Sequence, residues 1–174
     1  NEPDNVAGQP GRKELEVANK HIYSLKLLKR VMRWAREINP GQPLTAGIWR
    51  GNIDHWGTPD SLPELDRYML MNSDIISFHA YDGQIDNVKK KITELQKYNR
   101  PLFCTEYLAR GVGNTFESVL PILKDNKIAA INWGFVSGKT NTIYPWKSWD
   151  STFTAEPEIW HHDILRQDGT PYSM

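Results

Sequence analysis

The feature that most limits the fold is a repeat of pattern without a repeat of identity. Four segments read as short strands: "LTAGIW" (44–49), "IISFHAY" (75–81), "PLFCTEY" (101–107) and "AAINWGF" (129–135). They start near 44, 75, 101 and 129, at intervals of 31, 26 and 28 residues. Each interval has room for one crossover helix, and helical patterns fall there, at about 62–71, 84–98 and 115–127. A strand that returns parallel to its neighbour needs such a right-handed crossover, so the alternation implies a parallel sheet. A longer helix, roughly 13–38, precedes the first strand. Leu15, Ala18, Ile22, Leu25, Leu28, Met32 and Ala35 give it one apolar face, and "NPGQP" (39–43) stops it.

Strand parity separates two kinds of parallel fold. Ile76, Phe78 and Ala80 share one face of "IISFHAY", and Ser77, His79 and Tyr81 share the other. In "LTAGIW", Leu44, Ala46 and Ile48 oppose Thr45, Gly47 and Trp49. One face is apolar and suits helices. The other is small or polar and ends in an aromatic at the C-terminal tip. That is the inside of a (β/α)₈ barrel, with function at the C-terminal strand ends. An open doubly wound sheet would show apolar runs on both faces, and "GVGNTF" lacks the G-x-G-x-x-G spacing of a phosphate loop. The expected fold is therefore α/β: strands five to eight of a TIM barrel with outer helices. It forms a single partial domain over 1–174 that opens at the tip of strand four in "NEPDN".

Composition excludes several functions. The 21 basic and 21 acidic residues cancel, which argues against a nucleic-acid partner. No apolar run approaches the ~20 residues that span a bilayer, so no membrane partner is expected. The single Cys104 excludes an intrachain disulfide and a cysteine-rich zinc site. It lies two residues before Glu106 and reads as a small interior filler. Seven Trp and seven Tyr are many for 174 residues. They read either as a large aromatic core or as platforms for the apolar faces of sugar rings.

Two carboxylates fall at strand C-termini, Glu2 in "NEP" and Glu106 in "CTEY". A facing pair is the minimum equipment for glycoside hydrolysis, one protonated to release the leaving sugar and one ionised to attack the anomeric carbon. Mutual repulsion helps keep the acid protonated. Leu102, Cys104 and Glu106 share a strand face, so Glu106 is expected to point inward, near Tyr81 one strand away. A hydroxyl donated to a carboxylate stabilises its charged form.

With these motifs in place, the chain resembles the C-terminal half of a retaining (β/α)₈ glycoside hydrolase of the cellulase/xylanase-like superfamily. The resemblance covers nearly the whole chain. It implies that Asn1-Glu2-Pro3 ends strand four with Glu2 as general acid/base, and that Glu106 on strand seven is the nucleophile. It further implies that His79 and Tyr81 in "SFHAYDG" hold the nucleophile and that Trp133 in "INWGF" floors the sugar site. Asn1 would bond the sugar 2-hydroxyl. The tail "TIYPWKSW…EPEIWHHDILRQDGTPY" resembles the end of bacterial xylanase-type hydrolases.

Trp49, Trp56, Tyr144, Trp146 and Trp149 follow strands five and eight, and two or three of them are expected to line a cleft, Trp49 and Trp146 among them. Trp34 and Trp160 read as helical core residues, and His161-His162-Asp163 as surface. His79 also fits a satisfied interior histidine. The implied substrate is a β-linked polysaccharide or oligosaccharide, with no metal or organic cofactor. The retaining pair is expected about 5–5.5 Å apart. The implied partner is a preceding half-barrel or a second copy of the chain, and the implied location of the full-length protein is secreted or periplasmic. Two alternatives stand beside this: an inactive carbohydrate-binding protein on the same fold, and a metal-dependent hydrolase of amidohydrolase type, for which only His79 is suitably placed.

Overall fold

The computed structural model describes residues 1–5 and 13–173. The chain is α/β, with a three-stranded parallel sheet in the order β1 (Ile76–His79), β2 (Leu102–Glu106), β3 (Ala129–Ala130). Among the described residues four α-helices accompany it: α1 (Lys20–Glu37), α2 (Glu64–Asn72), α3 (Ile85–Gln96) and α4 (Phe116–Asp125). None of them is long and apolar enough to cross a membrane. By internal contacts the chain divides into two units, Asn1–Phe78 with Lys90–Phe103, and His79–Lys89 with Cys104–Met174.

In the first unit, α1 begins at Lys20 rather than near 13, because Asn19 takes a left-handed turn (φ 57°) that breaks the periodicity. Residues 13–15 form a separate 3₁₀ turn, and Leu15 and Ile22 of the predicted apolar face are exposed. Leu25 packs on Leu65 and Met69 of α2, with Leu28, Ala46 and Tyr68 around them. The Lys29 ammonium meets Glu64 at 3.0 Å. Trp34, expected in the core, is exposed (51%). It lies with Tyr23, Leu27, Val31 and Ile38 on a narrow apolar stripe at helical spacing, all exposed.

The predicted strand 44–49 is reduced to one parallel bridge, Ile48 to Phe78. Side chains explain the loss. The N–H of Leu44 donates to the Asp74 carboxylate (2.7 Å) and that of Ala46 to Ser73 Oγ (3.0 Å), in place of ladder carbonyls. Asp74 is held in turn by both guanidinium nitrogens of Arg36, at 2.7 Å each. The guanidinium holds the Asp74 carboxyl below its usual range. The small, polar parity face survives: Thr45 and Ser77 hydroxyls meet at 2.7 Å.

β2 alternates as predicted, with Leu102, Cys104 and Glu106 buried and Phe103 and Thr105 less so. The sheet continues past β3 irregularly. Ile131 N–H donates to Cys104 O and Trp133 N–H to Tyr107 O. A step of two residues on one side thus faces a step of three on the other, the offset of a bulge, which re-aims side chains where β2 ends. Thr115 and Ser118 cap α4 reciprocally: Thr115 N–H donates to Ser118 Oγ (2.9 Å) and Ser118 N–H to Thr115 Oγ1 (3.2 Å).

Candidate active site

In the second unit, the ends of β1 and β2 bring His79, Tyr81 and Glu106 together. Pairing continues beyond the strands, with Ala80 N–H donating to Glu106 O at 2.8 Å. The Tyr81 hydroxyl donates to Glu106 Oε2 at 2.9 Å, and His79 Nδ1 lies 3.3 Å from the same oxygen. His79 and Glu106 are both buried. A buried carboxylate needs such partners, since desolvation alone disfavours its charge. The Cys104 thiol is buried and donates to the Glu106 backbone carbonyl (3.4 Å).

Aromatic rings close over Tyr81. Trp146 meets it edge-on at 5.4 Å between centroids, and His162 at 5.6 Å. Trp146 arrives on a C-terminal segment whose residues 142–143 pair with 161–162. Arg110 fastens that segment to the loop after β2, with its guanidinium donating to the carbonyls of Asp163 (3.0 Å) and Trp160 (3.3 Å). Trp133 is 43% exposed, and its N–H is bound to Tyr107 O, one residue from Glu106.

Of the remaining predicted residues, Asn1, Glu2, Trp49 and Trp56 belong to the first unit, and Tyr144, Trp149 and Trp160 to the second. Glu2 lies at φ 38°, in the left-handed region that a glutamate rarely occupies. It accepts from the Asn5 amide, while Ser24 donates to Pro3 O and Arg50 pairs with Asp4. Lys20 adds a bond to Asn5 O at 2.6 Å. "NEPDN" is therefore anchored on α1 and Arg50 through Pro3, Asp4 and Asn5. Asn1 is exposed. Trp49 is half-buried, with the Arg50 guanidinium 5.6 Å from its ring. Trp56, one of the possible platforms, is fully buried, with its indole N–H bound to Arg50 O (3.1 Å). Trp149 is exposed and Tyr144 packs on Phe153. Trp160 is buried as expected, though not on a helix.

The His161-His162-Asp163 run is not surface; all three residues are buried. Glycines make the room. A Cβ on Gly111 would lie 2.7 Å from His161 Nδ1, and one on Gly134 would lie 2.8 Å from His162 Cβ. Gly134 also sits at φ +83°. His162 Nδ1 donates to Leu108 O (2.5 Å), which fixes its tautomer. Among the described residues neither ring nitrogen of His161 has a hydrogen-bond partner. Burial, with His162 and Arg110 nearby, pushes His161 down to about 4.

That depression has a consequence for stability. The folded chain keeps His161 neutral while the unfolded chain takes up a proton near the ordinary value of ~6.5. Stability should therefore fall as pH drops from about 6.5 towards 4, by about 3 kcal/mol from this group. His161→Leu removes the titration, so its urea midpoint should fall less between pH 7 and pH 4 than that of the parent. Equal losses in both proteins would contradict this.

Two residues of this site escaped sequence reasoning: His162, and Asn114, whose buried side chain bonds Leu108 N–H and the carbonyls of Ala80 and Asp82 on either side of Tyr81. The signal was present in the glycines and in "GNT", where an Asn precedes a helix-capping Thr.

The site thus holds a buried carboxylate at the tip of a parallel strand, hydrogen-bonded by a tyrosine that packs on a tryptophan. Residues 1–119 match the profile of the glycosyl hydrolase catalytic core, and the chain belongs to that family. The matched span contains Glu2, His79, Tyr81, Glu106 and Asn114 and ends before Trp133 and Trp146. No curated protein matches the chain.

Proposed function

We propose that this chain is strands five to eight of a (β/α)₈ barrel and carries the catalytic pair of a retaining glycosidase acting on a β-linked polysaccharide or oligosaccharide. The observation that carries the reading is the Tyr81 hydroxyl bound to buried Glu106 at adjacent strand tips, inside the family match. Glu106 attacks the anomeric carbon as the glycosidic C–O bond breaks, and the Glu2 carboxyl gives its proton to the leaving oxygen. Glu2, now ionised, takes a proton from water as that water attacks the anomeric carbon and frees Glu106. Tyr81 and His79 hold the nucleophile. Trp133, Trp146 and Trp49 offer stacking faces, and Asn1 a hydrogen bond to the sugar.

The half-barrel reading draws support from α1. The stripe Tyr23–Leu27–Val31–Trp34–Ile38 is a contiguous apolar face left to solvent. A preceding half-barrel, or a second copy, would cover it. A polysaccharide substrate fits a secreted or periplasmic full-length protein.

The stereochemistry of the first product tests the mechanism. Proton NMR of the full-length protein with a β-glycoside should show the β-anomer appear first and the α-anomer only later, by mutarotation. Initial release of the α-anomer would exclude a retaining mechanism.

A further inference from the structure

Asn114 is fully buried and makes bonds to both strand exits. Its side-chain carbonyl accepts from Leu108 N–H at 2.8 Å. Its amide nitrogen donates to Ala80 O (2.8 Å) and Asp82 O (2.9 Å), the carbonyls on either side of Tyr81. Its backbone pairs with Ala109 in both directions. One side chain thus joins the segment carrying Tyr81 to the segment that follows Glu106.

The joint is needed because the exit of β2 is strained. Leu108 takes φ 79°, a genuine outlier for a bulky residue. Its N–H is held by Asn114, its carbonyl by His162, and its side chain is fully buried. The loop after β1 docks equally closely: a Cβ on Gly83 would fall 1.8 Å from Val112 O. The two loops are therefore seated on each other with Asn114 between them.

We infer that Asn114 is a positioning residue that sets the Tyr81–Glu106 hydrogen bond by clamping the backbone on both sides of Tyr81; this rests on the reading of Glu106 as nucleophile. Asn114→Asp tests it. The substitution is isosteric, keeps the acceptor for Leu108 N–H and removes the two donated bonds that flank Tyr81. In the full-length protein, kcat should fall roughly ten- to a hundredfold, as for a small misplacement of a reacting group, with KM changed less than about threefold. Labelling of Glu106 by a dinitrophenyl 2-deoxy-2-fluoro-β-glycoside should slow in parallel. Tyr81→Phe should lower kcat comparably, and the double variant should fall no more than about threefold below Tyr81→Phe, since both act through one contact.

Asn114→Ser, whose smaller side chain leaves room for water, should show the same split. Multiplicative losses in the double variant, or a lowered melting temperature with kcat and labelling unchanged, would overturn the inference. So would failure of both Asn114 variants to fold, which would make it a folding residue only. A parent protein left unlabelled at Glu106 overturns the functional reading and the inference with it; a labelled parent and an equally fast Asn114→Asp overturn the inference alone.

Discussion

Glu106→Gln in the full-length protein should lose turnover on natural and activated substrates alike, by on the order of 10⁴-fold or more, the scale on which loss of a nucleophile is read. An amide in that position cannot form the glycosyl-enzyme, and no leaving group compensates for a missing attacking atom. Folding should be little disturbed, because Gln can still accept from the Tyr81 hydroxyl that Glu106 accepts from at 2.9 Å. Glu2→Gln should behave differently. A dinitrophenyl leaving group needs little protonation, so the first step should survive, and azide should restore the second by attacking the glycosyl-enzyme in place of activated water. If Glu2→Gln is dead on the activated substrate and indifferent to azide, Glu2 is not the acid/base.

The second large effect concerns the chain itself. On the half-barrel reading proposed above, residues 1–174 expressed alone should show no glycosidase activity, whereas a complete (β/α)₈ barrel that contains them should be active. The reason is exposed surface. Five apolar side chains lie open along α1, and Ile131, Trp133, Phe135 and Val136 lie open after β3. Unpaired parallel edges and uncovered apolar faces favour association over a compact monomer. Glu2 would suffer as well, since catalysis needs placement within about 0.5 Å and this glutamate sits in a strained turn (φ 38°). Light scattering and a chromogenic glycoside assay on both proteins check this. A monodisperse, active short form would contradict the half-barrel reading.

Much of the frame was legible because it rests on period and parity. The segments 75–81 and 101–107 became β1 and β2, and the face shared by Cys104 and Glu106 is the buried one. The meeting of Tyr81 with Glu106 follows from parity on neighbouring strands. What was not legible rests on side chains doing backbone work. Asp74 and Ser73 take the N–H groups of Leu44 and Ala46, so a sequence with strand-like alternation makes one bridge instead of a ladder. Asn19 breaks a periodicity that otherwise runs through it. His161 and His162 look like surface residues until Gly111 and Gly134 are seen to make the space they fill. Asn114 carries only the local signal of an Asn before a helix-capping Thr; its importance lies in three backbone groups that come together only in the fold.

The central claim is that Glu106 forms a covalent bond to the sugar. Incubating the full-length protein with a dinitrophenyl 2-deoxy-2-fluoro-β-glycoside, then mapping peptides by mass spectrometry, tests it most directly. The fluorine slows both steps and the good leaving group restores the first, so the glycosyl-enzyme accumulates. One added fluorosugar per chain is expected, on the peptide containing Glu106. Reversible binding without a label, or a label on any other residue, would contradict it.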